Sequence, residues 1–323
     1  MATPPPPYYI SSFPPPFINI PLLPNLRDAG GYSSTLHPNR STTRCTVRKR
    51  LLYRSADPSR IRPAILNTLH KDLGITTIFD LRSQPEIEKA ASLPSWESRL
   101  EENGNIKRRW TPVFKTEDYT PTAIALRFKQ YGSSDGTNGF VKAYTAILEN
   151  AGAAVSEVLR YLASESLSSL RNEVAKADGL DDDKGRQAIL VHCSAGKDRA
   201  GCLVAVVLGL LGVPDEVVAE EYALTDVGMG PMKGYLVQRL LSSGMFDGNL
   251  DPPAAAERMV AARKENMLAT LEMVRERWGG MEEYVKEVAG VDDEVIAGVR
   301  KNCLVSVEDR NHVIGEECDR AVL

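Results

Sequence analysis

Cys193 and Arg199 bracket a loop of five residues, Ser194-Ala195-Gly196-Lys197-Asp198, immediately after His192. A thiol and a guanidinium at this spacing suit phosphate chemistry. A thiolate is a strong nucleophile and forms near neutral pH where positive charge surrounds the sulfur. A guanidinium offers a planar fork of donors that grips two phosphate oxygens. Successive backbone N–H groups at a helix N-terminus bind anions and favour negative charge there. Together they could carry phosphoryl transfer through a phosphocysteine intermediate. A bare Cys-x5-Arg pair also arises where the cysteine is only a buried structural thiol, so the flanking elements decide.

Those flanks predict a strand, a tight loop and a helix. Ala188-Ile189-Leu190-Val191 is an apolar run of the length expected for a buried strand. Ala200 to Val213 is apolar, rich in Ala, Leu and Val, and closed by Gly212 and Pro214, which is the pattern of a buried helix with a stop signal. His192 is placed to orient Cys193 by hydrogen bonding.

The whole loop, HCSAGKDRAG at residues 192–201, resembles the HCxAGKDRTG signature of the atypical tyrosine/serine and phosphoinositide phosphatases, a family with bacterial secreted members. The resemblance implies an α/β cysteine-phosphatase fold, a central and mostly parallel sheet flanked by helices. It makes Cys193 the nucleophile, Arg199 the phosphate grip and Asp198 the general acid, with Ser194, Ala195, Gly196 and Lys197 in the substrate cradle. The extra cation of Lys197 resembles the loops of phosphoinositide enzymes. Ala200 departs from the pattern, which has Ser or Thr there. That hydroxyl can hydrogen-bond the departing thiolate, so slow breakdown of phosphocysteine is expected.

Other segments carry the same resemblance. Asn25-Leu26-Arg27-Asp28 with Gly30-Gly31 is similar to the family's NxRDxGG segment, which packs near the active site. LLYRSADPSR at 51–60, GITTIFDLRS at 74–83, EEYALTD at 220–226 and the stretch 277–304 also match. Asp80 and Arg82 fall at the end of the predicted strand from Ile75, where open α/β sheets place ligands. They are candidate substrate-binding residues, or an ion pair that merely caps the strand. Asp80 and Asp118 stand behind Asp198 as alternative acids.

Periodicity and turn signals predict the surrounding elements. Ser33 to Arg54 reads as a hairpin whose second arm, Thr46 to Tyr53, is a solvated edge strand, with five basic residues between Arg44 and Arg54 as a possible anionic-lipid patch. Helical spacing runs over 59–73, closed by Gly74. Gln84 to Gly104 opens helical, Ile106 to Val113 reads as a strand, and 139–163 is helical with a break at Asn150 to Gly152. Val217 to Leu224 continues as a helix, Gly228 to Leu250 is Gly- and Met-rich and placed to cover the pocket, and Pro253 to Arg277 reads as one helix.

Composition bounds the rest. A chain of 323 residues with 43% hydrophobic content can bury a large core. The expected layout is a Pro-rich tail at 1–16 and a single phosphatase domain at 17–323 with a polar acidic insertion near 164–186. A net charge of −4 gives no global basic field for nucleic acid. The five cysteines are odd in number, widely spaced and lack a CxxC pair, so neither a disulfide framework nor a metal site is indicated, and no cofactor is expected. Cysteine usage, a start without a basic signal region and no apolar run long enough for a bilayer of about 30 Å place the expected location in the cytoplasm. The expected partner is a phosphorylated protein or phosphoinositide, and the PPPP and PPP runs of the tail read as a passive tail first and as a ligand for an SH3 or WW domain second. Two rival functions remain: a low-activity phosphate or phosphoinositide-binding module of the same fold, and a scaffold recruiting partners through the tail.

Overall fold

The computed structural model describes residues 13–36, 44–90, 94–164, 187–247 and 249–306. Residues 1–12 of the Pro-rich tail and 165–186 of the acidic stretch lie outside the described residues.

The described strands, in chain order, are β1 Arg27–Asp28, β2 Ser33–Ser34, β3 Cys45–Val47, β4 Leu52–Ser55, β5 Ile75–Asp80, β6 Lys107–Trp110, β7 Ala188–His192 and β8 Leu304–Ser306. Five of them form the main sheet in the order β1-β4-β7-β5-β6. The pairs β4–β7, β7–β5 and β5–β6 are parallel, and β1 joins the edge antiparallel. This is the mixed α/β, mostly parallel architecture that the sequence implied.

Strand β7 is central because it is apolar on both faces. Ile189 and Val191 sit in one core with Phe79 and the helix Asp198–Leu210, while Ala188 and Leu190 face a second core with Ile75, Ile78 and Tyr53. Only a strand covered on both sides can be a continuous apolar run. Register aligns the strand ends: His192 pairs with Ser55 on one side and Asp80 on the other. The loop after β7 therefore emerges between two other strand ends, at the carboxyl edge where such sheets bind ligands.

Ser33 to Arg54 is not one hairpin. β2 pairs with β3, and β3 pairs with β8 in a separate antiparallel sheet of three strands. After Lys49 the chain turns through Arg50 at φ 60°, and β4 enters the main sheet with Tyr53 and Arg54 fully buried. The solvated edge strand is thereby corrected. The basic residues do not form one patch either: Arg48 donates to the Asn302 carbonyl at 3.0 Å, Arg50 donates to the Asp72 carbonyl, and Arg54 runs beneath the Cys193 loop.

Helices surround the sheet. Pro63 at the first turn sets the start of Pro63–Lys71 later than the periodicity suggested, leaving Ile61 buried ahead of it. Two helices, Gln84–Lys89 and Pro94–Asn103, follow β5. The helices Asn138–Asn150 and Gly152–Ala163 part at Ala151, where a break was expected. Pro252–Val260 and Lys264–Trp278 are separate helices, correcting the single helix read over 253–277. The chain extends at Ala261, and the Ala262 N–H donates to Asp226 Oδ1 at 2.8 Å. No helix among the described residues is long and apolar enough to cross a membrane.

Candidate active site

The helix after β7 begins at Asp198, two residues ahead of the apolar run, so Asp198 and Arg199 lie in its first turn. The loop between needs Gly196. Its φ of 68° is a left-handed conformation, and a β-carbon there would stand 2.2 Å from the Ser55 carbonyl oxygen.

The loop's backbone is tied back from beneath. Asn25 Nδ2 donates to the carbonyls of Ala195 and Gly196, each at 3.2 Å. Arg54 Nη2 donates to the carbonyls of Gly196 at 2.6 Å and Lys197 at 3.2 Å. The Asp57 N–H donates to the Ser194 carbonyl at 3.2 Å. In a planar trans peptide the C=O and the N–H point opposite ways. Tying four successive carbonyls therefore turns the N–H groups of Ala195, Gly196, Lys197 and Asp198 away from these donors, as an anion cradle requires.

A buried charge cluster holds this support rigid. Glu221 accepts from Arg27 Nε at 2.8 Å and from Arg54 Nη1 at 2.6 Å. Arg27 also donates to Thr225 Oγ1 at 3.1 Å and to Asn25. Burial resists ionisation of Glu221, but the two guanidinium groups override it and hold the carboxyl below its ordinary value. Burial pushes Arg27 down to about 10 even with Glu221 beside it, so it stays charged near neutral pH.

Above the loop, Arg199 meets Glu86. Nη1 donates to Oε2 at 2.5 Å and Nη2 to Oε1 at 2.6 Å. Ser194 Oγ donates to the same Oε1 at 2.7 Å. Glu86 Oε2 also accepts from the Ser83 N–H at 3.1 Å and Oγ at 3.0 Å, closing a capping box at the start of Gln84–Lys89. Five donors thus converge on one carboxylate, which orients the guanidinium and ties the helix after β5 to the loop after β7.

The remaining predicted residues take distinct places. Cys193 is 2% exposed at the end of β7. His192 is fully buried, its Nδ1 3.1 Å from the Cys193 carbonyl and its Nε2 3.6 Å from Asp80 Oδ1. Burial lowers its imidazole toward the neutral form, and the carbonyl, an acceptor only, assigns the proton to Nδ1. Asp80 accepts from Arg82 at 2.9 and 2.8 Å and from Arg108 at 2.9 Å, and Arg82 also pairs with Asp57 at 2.6 Å. Burial opposes ionisation of Asp80; the guanidinium groups of Arg82 and Arg108 outweigh it and hold the carboxyl far below the carboxylate range. Both Asp80 and Arg82 are buried in this cluster, bracing the loop through Asp57.

Lys197 does not project outward. Its ammonium donates to the carbonyls of Met259 and Ala261, at the break between the two late helices, and lies over the rings of Tyr131 and Phe140 at 5.6 and 5.3 Å. Asp198 Oδ1 accepts from the Tyr144 hydroxyl at 2.8 Å, and about a quarter of its side chain is exposed. Asp118 sits in the short helix Thr116–Tyr119, where its carboxylate accepts from the Lys115 N–H at 2.8 Å. Ala195 packs against the small cluster of Ala56, Met229 and Met232, as do Tyr235 and Leu236, so Gly230–Ser242 borders the loop.

Sequence reasoning missed Glu86, Glu221, Arg54 as a loop support, and Tyr144. One signal was present: Ser83 and Glu86 have capping-box spacing. The others lack a local signal, since their partners are far off in the chain.

A cysteine and an arginine are thus delivered from one strand–loop–helix turn, over a backbone whose carbonyls from Ser194 to Lys197 are tied aside. Residues 18–305 match the tyrosine phosphatase family, and the chain belongs to it. It is a phosphatase, a phosphoric monoester hydrolase of the protein-tyrosine-phosphatase kind. It is 24% identical over 287 residues to the triple specificity protein phosphatase PtpB of Mycobacterium tuberculosis, covering 85% of this chain and 95% of that one. A tyrosine-protein phosphatase of Nostoc commune is 28% identical over 109 residues, 33% of this chain and 36% of the relative.

Proposed function

We propose that the protein hydrolyses phosphotyrosine and related phosphate monoesters through a phosphocysteine intermediate, with Cys193, Arg199 and Asp198 carrying the reaction. The Cys193 sulfur donates an electron pair to phosphorus as the bond to the leaving oxygen breaks, and that oxygen takes a proton from the Asp198 carboxyl. Arg199 and the loop amides of Ser194 to Arg199 balance the charge on the equatorial oxygens. Water then attacks phosphorus and gives a proton back to the Asp198 carboxylate, the S–P bond breaks, and the thiolate and inorganic phosphate are released. Ala200 supplies no hydroxyl to the departing thiolate, so this second step is slow.

The observation that carries the reading is the set of four tied carbonyls at Ser194, Ala195, Gly196 and Lys197. They leave the loop one open use, which is to bind an oxyanion. The place of Lys197 favours phosphotyrosine over a phosphoinositide. Its ammonium is turned to two backbone carbonyls and is 5% exposed, whereas a multiply phosphorylated headgroup calls for cations at the mouth. Phosphoserine, phosphothreonine and phosphoinositides remain in the panel because the PtpB relative is named for triple specificity.

The test is phosphate release from phosphotyrosine, phosphoserine and phosphothreonine peptides and from phosphoinositide vesicles, with Cys193→Ser and Arg199→Ala as controls. Turnover highest on phosphotyrosine and abolished in both controls is expected. Turnover in Cys193→Ser comparable to the parent rules out the covalent route. Phosphate binding without release favours the low-activity binding module, to which Ala200 already leans.

A further inference from the structure

Asp198 is held by a chain of side chains that reaches deep into the core. Tyr144, on Asn138–Asn150, donates its hydroxyl proton to Asp198 Oδ1 at 2.8 Å. The Tyr222 hydroxyl, on Asp215–Ala223, lies 2.6 Å from that of Tyr144. A phenol has one proton to give. With the Tyr144 proton on Asp198, the short contact is made by Tyr222 donating to Tyr144, so the chain runs Tyr222 to Tyr144 to Asp198. Both tyrosines are fully buried, and their rings meet edge-on with centroids 6.1 Å apart. Tyr131 and Phe140 pack against Tyr144 in the same manner, which leaves the phenols little room to turn.

The surroundings keep this direction. Burial first, then the charge of Asp198, raises both phenols well above their ordinary value, so they remain donors wherever the protein is folded and active. The other groups facing Asp198 are Lys197, whose ammonium is 3.4 Å from Oδ1, the adjoining Arg199, and Tyr131 and Cys202, both raised by burial and neutral. Lys197 is shared with the carbonyls of Met259 and Ala261. The phenol hydrogen bond is thus the short, directed contact on the carboxylate.

We propose that Tyr144 and Tyr222 are positioning residues that hold Oδ1 of the Asp198 carboxyl group, so that its other oxygen is presented to the leaving group in the first chemical step. The inference rests on the reading of Asp198 as the acid. A second donor behind the first polarises and strengthens the hydrogen bond on the carboxyl group, and a small misplacement of a reacting group costs much of its rate. Without Tyr144 the carboxyl group loses its fixed orientation and delivers a proton to the leaving oxygen less often.

The readout is the dependence of kcat/KM on the leaving group, which reports steps through formation of phosphocysteine and is blind to its breakdown. Phosphotyrosine departs as a basic phenoxide that needs a proton, whereas p-nitrophenyl phosphate departs as a stable anion that needs one less. Tyr144→Phe is expected to lower kcat/KM on a phosphotyrosine peptide about tenfold and on p-nitrophenyl phosphate about threefold or less. Tyr222→Phe should show the same split more weakly, and it leaves the contact to Asp198 in place should Tyr144→Phe fold poorly. Thermal melts identify the folded variants. Asp198→Asn should show the widest split, and adding Tyr144→Phe to it should not widen it further. A split in Asp198→Asn that neither tyrosine variant shows overturns the inference alone. An equal loss on both substrates in the tyrosine variants does the same, since it makes the tyrosines structural only. No split in Asp198→Asn overturns the inference together with the reading of Asp198 as acid.

Discussion

Glu221→Gln should destabilise the protein far more than any surface charge change. The carboxylate is 2% exposed between Arg27 and Arg54, each 0% exposed, at 2.8 and 2.6 Å. Glutamine keeps the shape and removes the charge, leaving two buried guanidinium groups facing each other without a counter-ion. Breaking a buried pair by removing one partner costs about 3–5 kcal/mol, against about 0–1 kcal/mol for an exposed pair. In a chain of this size that lowers the melting temperature by about 4–7 degrees.

Urea unfolding followed by tryptophan fluorescence would measure the loss at neutral pH. The pH dependence has a definite sign. The folded Glu221 carboxyl lies below its ordinary value because of Arg27 and Arg54, although burial opposes this. Its contribution is therefore complete above the unfolded value of about 4.3 and disappears as pH falls through the lower folded value. The gap between parent and variant should narrow on acidification, where protonated Glu221 resembles glutamine. Replacing all three residues with apolar ones of similar volume, Arg27→Met, Arg54→Met and Glu221→Leu, should recover stability but not phosphate binding, because the carbonyls of Gly196 and Lys197 lose the guanidinium of Arg54. A single-variant loss below about 1 kcal/mol, set against the buried-pair range, or normal phosphate binding by the triple variant, would refute the argument.

Further expectations concern the loop itself. Glu86→Gln removes a carboxylate that collects five hydrogen bonds from Arg199, Ser194 and Ser83; misplacing the guanidinium should lower kcat/KM on a phosphotyrosine peptide about 100-fold, and an unchanged value counts against its orienting part. Gly196→Ala places a β-carbon 2.2 Å from the Ser55 carbonyl oxygen at a φ of 68°; a loss of about 1–3 kcal/mol or more in urea melts, with weakened binding of inorganic phosphate by calorimetry, is expected. Ala200→Thr should speed phosphocysteine breakdown, seen as higher kcat and a smaller pre-steady-state burst. A fall in kcat, through crowding at a fully buried position, would show that the missing hydroxyl is not what limits turnover.

Contiguous features were legible. The apolar run Ala188 to Val191, the glycine in the loop and the apolar helix behind it all act over a few residues, so local patterning predicts them. The break between Asn138–Asn150 and Gly152–Ala163 was legible for the same reason. Two elements misled. Thr46 to Tyr53 alternates in part, which reads as one strand, but the turn at Lys49 and Arg50 divides it between two sheets. Pro253 to Arg277 lacks a local stop; Asp226 and Lys197, both distant in the chain, bind the backbone at the break around Ala261 and Ala262.

The chain order alone settled which chemistry was available: one cysteine, one arginine and the loop between them, within seven consecutive residues. The tertiary structure decided what makes that loop competent. Glu86 reaches Arg199 across 113 residues, Arg54 reaches Gly196 across 142, and Glu221 reaches Arg27 across 194. A charged residue in a strand or helix reads by default as facing water, since burying a lone charge is prohibitive. Only when the sheet brings counter-charges and carbonyls together does burial become affordable, and no local pattern records where the partner will be.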